Sequence, residues 1–243
     1  DEIVYNRDNA VSKISSSTGK WVDITGNGTT VFTTADGLGI NSVKVKYNYF
    51  PKVVGATSSS VLVALANFSG GYTDGFLKTY ALSNGVQSGF AGLTGTTSGT
   101  WPADGSTLAS TLFPHSAFIG AMSYDSTLSK WIAYTGGNSI KTLTEGGTIT
   151  NLFTDTGTSI IRSVTSARIS GNLVVYYCAY FSATSSYQLK KWEQSTSTIT
   201  TLSWPSSSIS CLANGLGYDS SANKLIFSFS LNGLQGISEY LNP

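Results

Sequence analysis

Charge is what this sequence has least of. Of its 243 residues, 14 are Lys or Arg and 13 are Asp or Glu, a charged fraction of 11% with a formal net charge of +1. The three arginines (Arg7, Arg162 and Arg168) and eleven lysines form no run. The basic stripe that phosphate binding requires is therefore missing, which excludes nucleic acid as a partner. Histidine occurs once, at His115, so a multi-histidine metal centre is excluded. Neither metal nor cofactor is expected. No apolar stretch approaches the length of a membrane-spanning helix, and no stripe of 3.6-residue period runs beyond two turns. Methionine does not precede Asp1, as in a processed mature chain or an excised fragment. Cysteine appears twice, as Cys178 and Cys211, consistent with either one disulfide or two free thiols.

With so little charge, the polar surface has to come from Ser, Thr, Asn and Gly, while 40% of the chain is hydrophobic. Such a surface suits an extracellular or cell-surface protein, because cytosolic surfaces carry more charge. Two sequons, at Asn27 and Asn67, would accept N-glycans in a secretory setting.

One stretch, Met122 to Phe153, serves as a template. Its apolar runs and tight turns predict four short antiparallel strands, with turns at Tyr124-Asp125-Ser126 and Glu145-Gly146-Gly147. Variants of this unit recur. An apolar-polar-polar-apolar signature marks the third strand of each: Val11 to Ile14, Leu77 to Tyr80, Ile140 to Leu143, Leu189 to Trp192 and Ile237 to Tyr240. The ends of these signatures are 66, 63, 49 and 48 positions apart. Upstream of each lies an apolar run, such as Val61 to Leu65 or Leu173 to Tyr177, apolar on both faces as a strand covered from both sides would be. Repeats on this scale point to stacked or ring-like repeat architectures.

Four-stranded sheets covered on both faces by neighbours are the recipe for a β-propeller. The layout of strand, apolar-Lys-x-apolar signature, small polar turn and returning strand resembles blades of the broad β-propeller superfamily over most of the chain. The Trp-Asp ending of WD40 blades and the glycine doublet of kelch blades are absent. The reading is an all-β, five-bladed β-propeller of mostly four-stranded antiparallel blades. It forms a single domain over 1–243, with blades at roughly 1–26, 41–92, 115–154, 162–204 and 210–243. The first blade starts on its second strand and the last ends on its third, so the seam is incomplete or exchanged with another chain. An uncovered edge there would favour association.

In such blades the short turns lie on one face, and Asp125 and Asp219 read as turn caps there. The other face carries longer loops with Trp101, Trp204, Tyr72, Tyr180 and Tyr187. The innermost strands open on Asn41, His115 and Arg162, each followed by Ser, and on Ile209-Ser210. The candidate ligand-binding residues are therefore Trp101, His115, Arg162, Asn41, Tyr187 and Trp204. Aromatic faces stack on the C–H faces of sugars, and amides, carboxylates and cations take the hydroxyls. Cys178, expected at the end of a second strand, and Cys211 fall on the same side of adjacent blades, within reach of a bridge.

The function expected is an extracellular binding or adhesion domain recognising carbohydrate through aromatic-bearing loops, with glycans or other extracellular proteins as partners. The alternative is a structural subunit of a surface layer, filament or appendage, self-associating by strand exchange. A five-bladed glycosidase-like enzyme fits least well, since no Asp or Glu opens an innermost strand and His115 has no triad context. No catalytic residue is expected.

Overall fold

The structure is a computed structural model. It describes residues 3–7, 10–14, 21–25, 52–66, 75–84, 86–91, 101–106, 120–145, 147–203, 209–231 and 234–241. Every regular element among them is a β-strand, and the strands form antiparallel meander sheets. The chain divides into two compact units, residues 1–119 with 144–149, and residues 120–143 with 150–243.

The first unit holds two sheets. β1 (Ile3–Arg7), β2 (Ala10–Ile14) and β3 (Trp21–Thr25) make a three-stranded meander. β4 (Lys52–Ala56), β5 (Ser60–Ala66), β6 (Gly75–Ala81) and β7 (Gln87–Ala91) make a four-stranded one. Val61 to Ala64 of β5 are fully buried, as the two-sided apolar run requires. Thr57 closes the β4–β5 turn, its hydroxyl accepting from the amides of Ser59 and Ser60. This is the local competition by which Ser and Thr favour turns.

The second unit contains most of the template stretch and two further sheets. β8 (Ser123–Asp125), β9 (Lys130–Tyr134), β10 (Ser139–Leu143) and β11 (Ile149–Thr154) form one meander, the first residue of β11 belonging to the other unit. β12 (Ile160–Ile169), β13 (Asn172–Phe181), β14 (Ser186–Glu193) and β15 (Thr198–Thr201) form the next. β16 (Ile209–Asp219), β17 (Lys224–Leu231) and β18 (Leu234–Leu241) form a three-stranded last. β12 packs against β8 and β9 on one side and β16 on the other, so the first strands of successive sheets lie side by side. This is the arrangement of β-propeller blades. The apolar-polar-polar-apolar signatures fall on β2, β6, β10, β14 and β18, the penultimate strand wherever four are present and in the first sheet the middle one.

The connections follow the turn chemistry of the sequence. Ser170 (φ 50°) and Gly171 (φ 83°) both take the left-handed conformation between β12 and β13, as a two-residue type I′ hairpin demands. Asp125 and Asp219 are turn caps: each carboxylate accepts a nearby amide, from Leu128 and from Ser221 and Ala222 respectively. Asp125 does more than cap. Arg168 of the next sheet grips it with two bonds, Nε at 2.7 Å and Nη2 at 3.0 Å, and a Ser123–Ser166 hydroxyl pair runs alongside at 2.7 Å. Burial pushes the Asp125 carboxyl up, but the Arg168 bonds and charge and the turn amides outweigh it and hold it below the usual range.

Between sheets the core is aromatic and aliphatic. Phe153 stacks on Trp192 at 4.8 Å, and Tyr176 stacks on Tyr218 at 5.6 Å. Ile132, Ile140, Ile161, Val175 and Tyr177 fill the space around the first of these pairs. One polar cluster lies inside: Lys190 of β14 reaches Asp155 Oδ2 at 2.7 Å, and that oxygen also accepts from Thr158 (2.6 Å) and Tyr177 (2.9 Å). Lys190 is 7% and Asp155 5% exposed. The second position of the apolar-Lys-x-apolar signature is thus an inward-facing cation here, neutralised by a carboxylate from the loop ahead of β12. Cys178 and Cys211 are joined in a disulfide, their Cα atoms 6.4 Å apart. Cys178 lies within β13 and not at its end, because the aromatic pair beyond it extends the strand to Phe181.

Candidate functional site

The site is built where β12 begins. Register along β12 and β13 pairs Ile161 with Ala179 and Ser163 with Cys178, leaving Arg162 as the extra residue of a β-bulge. A bulge breaks the alternation of faces and re-aims the bulged side chain. Here it turns the guanidinium over the ring of Tyr180, 5.8 Å from its centre. Tyr180 in turn meets Tyr187 at 4.9 Å with the rings tilted by 48°.

Tyr180 and Tyr187 face each other directly across β13 and β14. The sequence places both on a long loop spanning 179–187. The structure corrects this, since the strands continue to Phe181 and resume at Ser186, leaving only 182–185 as turn. Cross-strand aromatic pairs stabilise a ladder by a few tenths to about 1 kcal/mol, enough to carry strand geometry outward. The turn is tied back to β12. The Ser159 amide donates to Tyr180 O (3.0 Å), and the Ser182 amide donates to Ser159 Oγ (3.0 Å), which also pairs with Ser182 Oγ (2.9 Å). The platform is therefore half-buried and fixed from both sides.

Electrostatically the cluster differs from the Asp125–Arg168 and Asp155–Lys190 sites of the same unit. Lys190 and Arg168 each face a carboxylate, whereas no carboxylate among the described residues pairs with Arg162. Its Nε is buried without a hydrogen-bond acceptor. Buried donors are nearly always satisfied, so such an orphan calls for an explanation. Arg162 also lies close enough to Tyr134 for its charge to favour the phenolate, although burial dominates and pushes the Tyr134 hydroxyl up to about 12. The Tyr134 ring is seated against the backbone of Gly120, where any Cβ would collide with it.

The carboxylates of this unit are engaged elsewhere. Asp125 and Asp155 are buried and paired with Arg168 and Lys190, Glu193 pairs with Lys191, Glu239 pairs with Lys224, and Asp219 caps its turn. Among the described residues no group of His, Cys, Asp and Glu is assembled to hold a metal ion, and no helix is long and apolar enough to cross a membrane.

Of the residues singled out in the sequence, Arg162 and Tyr187 are brought together, with Tyr180 as the link between them. Tyr180 is the member that the sequence reading left off its candidate set. Its spacing from Tyr187, symmetric about the 182–185 turn, is the signal that identifies it. Trp101 is half-buried in the 101–106 segment of the first unit, which pairs with Ile149 through backbone bonds. Asn41, His115 and Trp204 lie outside the described residues, as do the sequon residues Asn27 and Asn67.

Comparison with known proteins returns no matching family model and no matching curated protein. Among solved structures, the chain is similar to the alpha-L-arabinanase of Penicillium chrysogenum complexed with arabinobiose. The TM-score is 0.45 with 15% identity, covering 94% of this chain and 69% of that one. A likeness of this degree speaks to neither ligand nor activity.

Proposed function

We propose that the sheets are the five blades of one propeller domain spanning residues 1–243. In this reading the domain is an extracellular or cell-surface carbohydrate-binding module, and Arg162, Tyr180 and Tyr187 are its recognition platform. The observation that carries it is the tilted, half-buried tyrosine pair beside a guanidinium with an unsatisfied donor. Tyrosine offers a stacking face and a hydroxyl at low entropic cost, and a guanidinium supplies several fixed donors for ring and hydroxyl oxygens. Asn41, His115, Trp101 and Trp204 remain candidate ligand-binding residues on sequence grounds alone. Within the unit that carries the platform, Asp125, Asp155, Asp219, Glu193 and Glu239 are each committed to structural partners, which supports binding rather than acid–base chemistry at this platform. The disulfide and the sparsely charged surface fit an oxidising compartment. A glycan array probed with folded protein tests the reading; absence of binding to every glycan would sink it.

A second reading, self-association through β18, is supported by one specific observation. β18 has a sheet neighbour on one side only among the described residues, and it exposes Leu234 (77%) and Ile237 (76%). An apolar open edge of this kind invites pairing with another copy of the chain. Sedimentation should show concentration-dependent dimers or larger species that Ile237→Lys disperses. A monomer at all concentrations would exclude it.

A further inference from the structure

The ligand class of the Arg162 platform can be narrowed, an inference that rests on the carbohydrate reading above. We propose that the platform selects an acidic sugar, with the carboxylate of a hexuronate seated on Arg162 and the sugar ring against Tyr180 and Tyr187.

Two other basic side chains of this unit each meet a buried acid. Arg168 spends its fork on Asp125 and Lys190 its ammonium on Asp155, and both acids are buried. Arg162 is held by a bulge and a tyrosine face, both of which position the guanidinium without neutralising it. An arginine kept half-buried, with a buried Nε–H unbonded, is an uncompensated charge in a partly desolvated place. A neutral sugar would offer it hydroxyl acceptors but leave the charge standing. A carboxylate answers the charge, since its planar pair of oxygens matches the guanidinium fork and charge-assisted bonds are roughly twice as strong as neutral ones. The supporting shell is already rigid. The Ser159–Ser182 tie fixes the turn beside Tyr180, and the disulfide at Cys178 lies directly across the ladder from Ser163, next to Arg162. A free carboxylate from the protein would compete for the site, and the acids of this unit that carry ion pairs, Asp125, Asp155, Glu193 and Glu239, spend them on Arg168, Lys190, Lys191 and Lys224.

The test is a calorimetric titration with a matched pair of oligosaccharides, a hexuronate oligomer and the neutral hexose oligomer of the same linkage. Both are titrated into the whole chain and into Arg162→Gln and Arg162→Lys, with a sulfated oligomer as a third ligand. Thermal unfolding checks that each variant is folded. The expected result is at least tenfold tighter binding of the hexuronate than of the neutral oligomer, weakened by salt. Arg162→Gln should abolish that preference, the hexuronate losing at least about tenfold more affinity than the neutral oligomer, and Arg162→Lys should restore part of it. Equal affinity for acidic and neutral oligomers overturns the inference while leaving the carbohydrate reading standing. Binding of neither overturns both. Sulfated and carboxylated oligomers binding alike overturns the choice of carboxylate, and a preference that survives in Arg162→Gln overturns the choice of residue.

Discussion

Replacing Lys190 with Met is the sharpest test of how this fold is held together. The side chains are of similar length, so the change removes a charge from a buried cluster without opening a cavity. In the native protein Asp155 Oδ2 accepts from Lys190, Thr158 and Tyr177, and Oδ1 accepts the Gly157 amide at 3.2 Å. Burial by itself raises the Asp155 carboxyl; the bonds from Lys190, Thr158 and Tyr177, together with the Lys190 charge, more than reverse it and hold the group below its ordinary value of 3.8. Lys190→Met leaves a buried carboxylate with hydroxyl and amide donors but no cation, which costs about 3–5 kcal/mol. At about 2–4 °C per kcal/mol for a domain of this size, melting should fall by about 10 °C. Adding Asp155→Asn should recover part of the loss, because the uncompensated charge is then gone. The pH dependence has a definite sign. The depressed native pKa contributes stability that is present above the unfolded value near 3.8 and is lost as pH falls through the native one. Without Lys190, burial wins and the native pKa rises, so protonation relieves the variant. The gap between wild type and variant should therefore be widest near neutrality and close towards pH 4. Urea unfolding at several pH values measures this. A loss below about 1 kcal/mol at pH 7, as for a surface pair, or a gap that widens in acid, would refute the reasoning.

Two further expectations concern the same unit. The disulfide closes a separation of 33 residues, worth about 3–4 kcal/mol on chain-entropy grounds. Cys178→Ser/Cys211→Ser should melt lower in differential scanning calorimetry, and alkylation of native protein should find no thiol until a reductant and denaturant are both present. Gly120→Ala would drive a methyl into the Tyr134 ring, and overpacking of this kind costs about 1–3 kcal/mol; chemical denaturation should show that loss, and an unchanged midpoint would contradict the packing described.

Much of the fold is written in patterns that short-range physics enforces. Two-sided apolar runs such as Val61 to Leu65 and Leu173 to Tyr177 cannot sit on a wet sheet, so they predict strands with covered faces, and Val61 to Ala64 and Leu173 to Tyr177 are buried throughout. Asp125 and Asp219 declare themselves as turn caps because Asx chemistry is local. What escaped prediction depends on register. Nothing in the residues around Arg162 announces a bulge, yet the bulge is what sets its guanidinium over Tyr180. Likewise the Asp125–Arg168 and Asp155–Lys190 pairs span 43 and 35 positions and join different parts of the meander. Asp125 reads locally as a turn cap, and nothing in the strand signature says where Lys190 finds a partner. Tyr180 was visible as a loop aromatic but not as the middle member of a cluster, because strand extension through the tyrosine pair moved it off the loop.

The proposed sugar contact at Tyr180 and Tyr187 beside Arg162 can be located directly. Protein carrying isotopically labelled tyrosine rings, titrated with a glycan that it binds, should show its largest resonance shifts at Tyr180 and Tyr187, with Tyr176 and Tyr218 unmoved in the core. Saturable binding accompanied by shifts elsewhere, with those two rings silent, would contradict it.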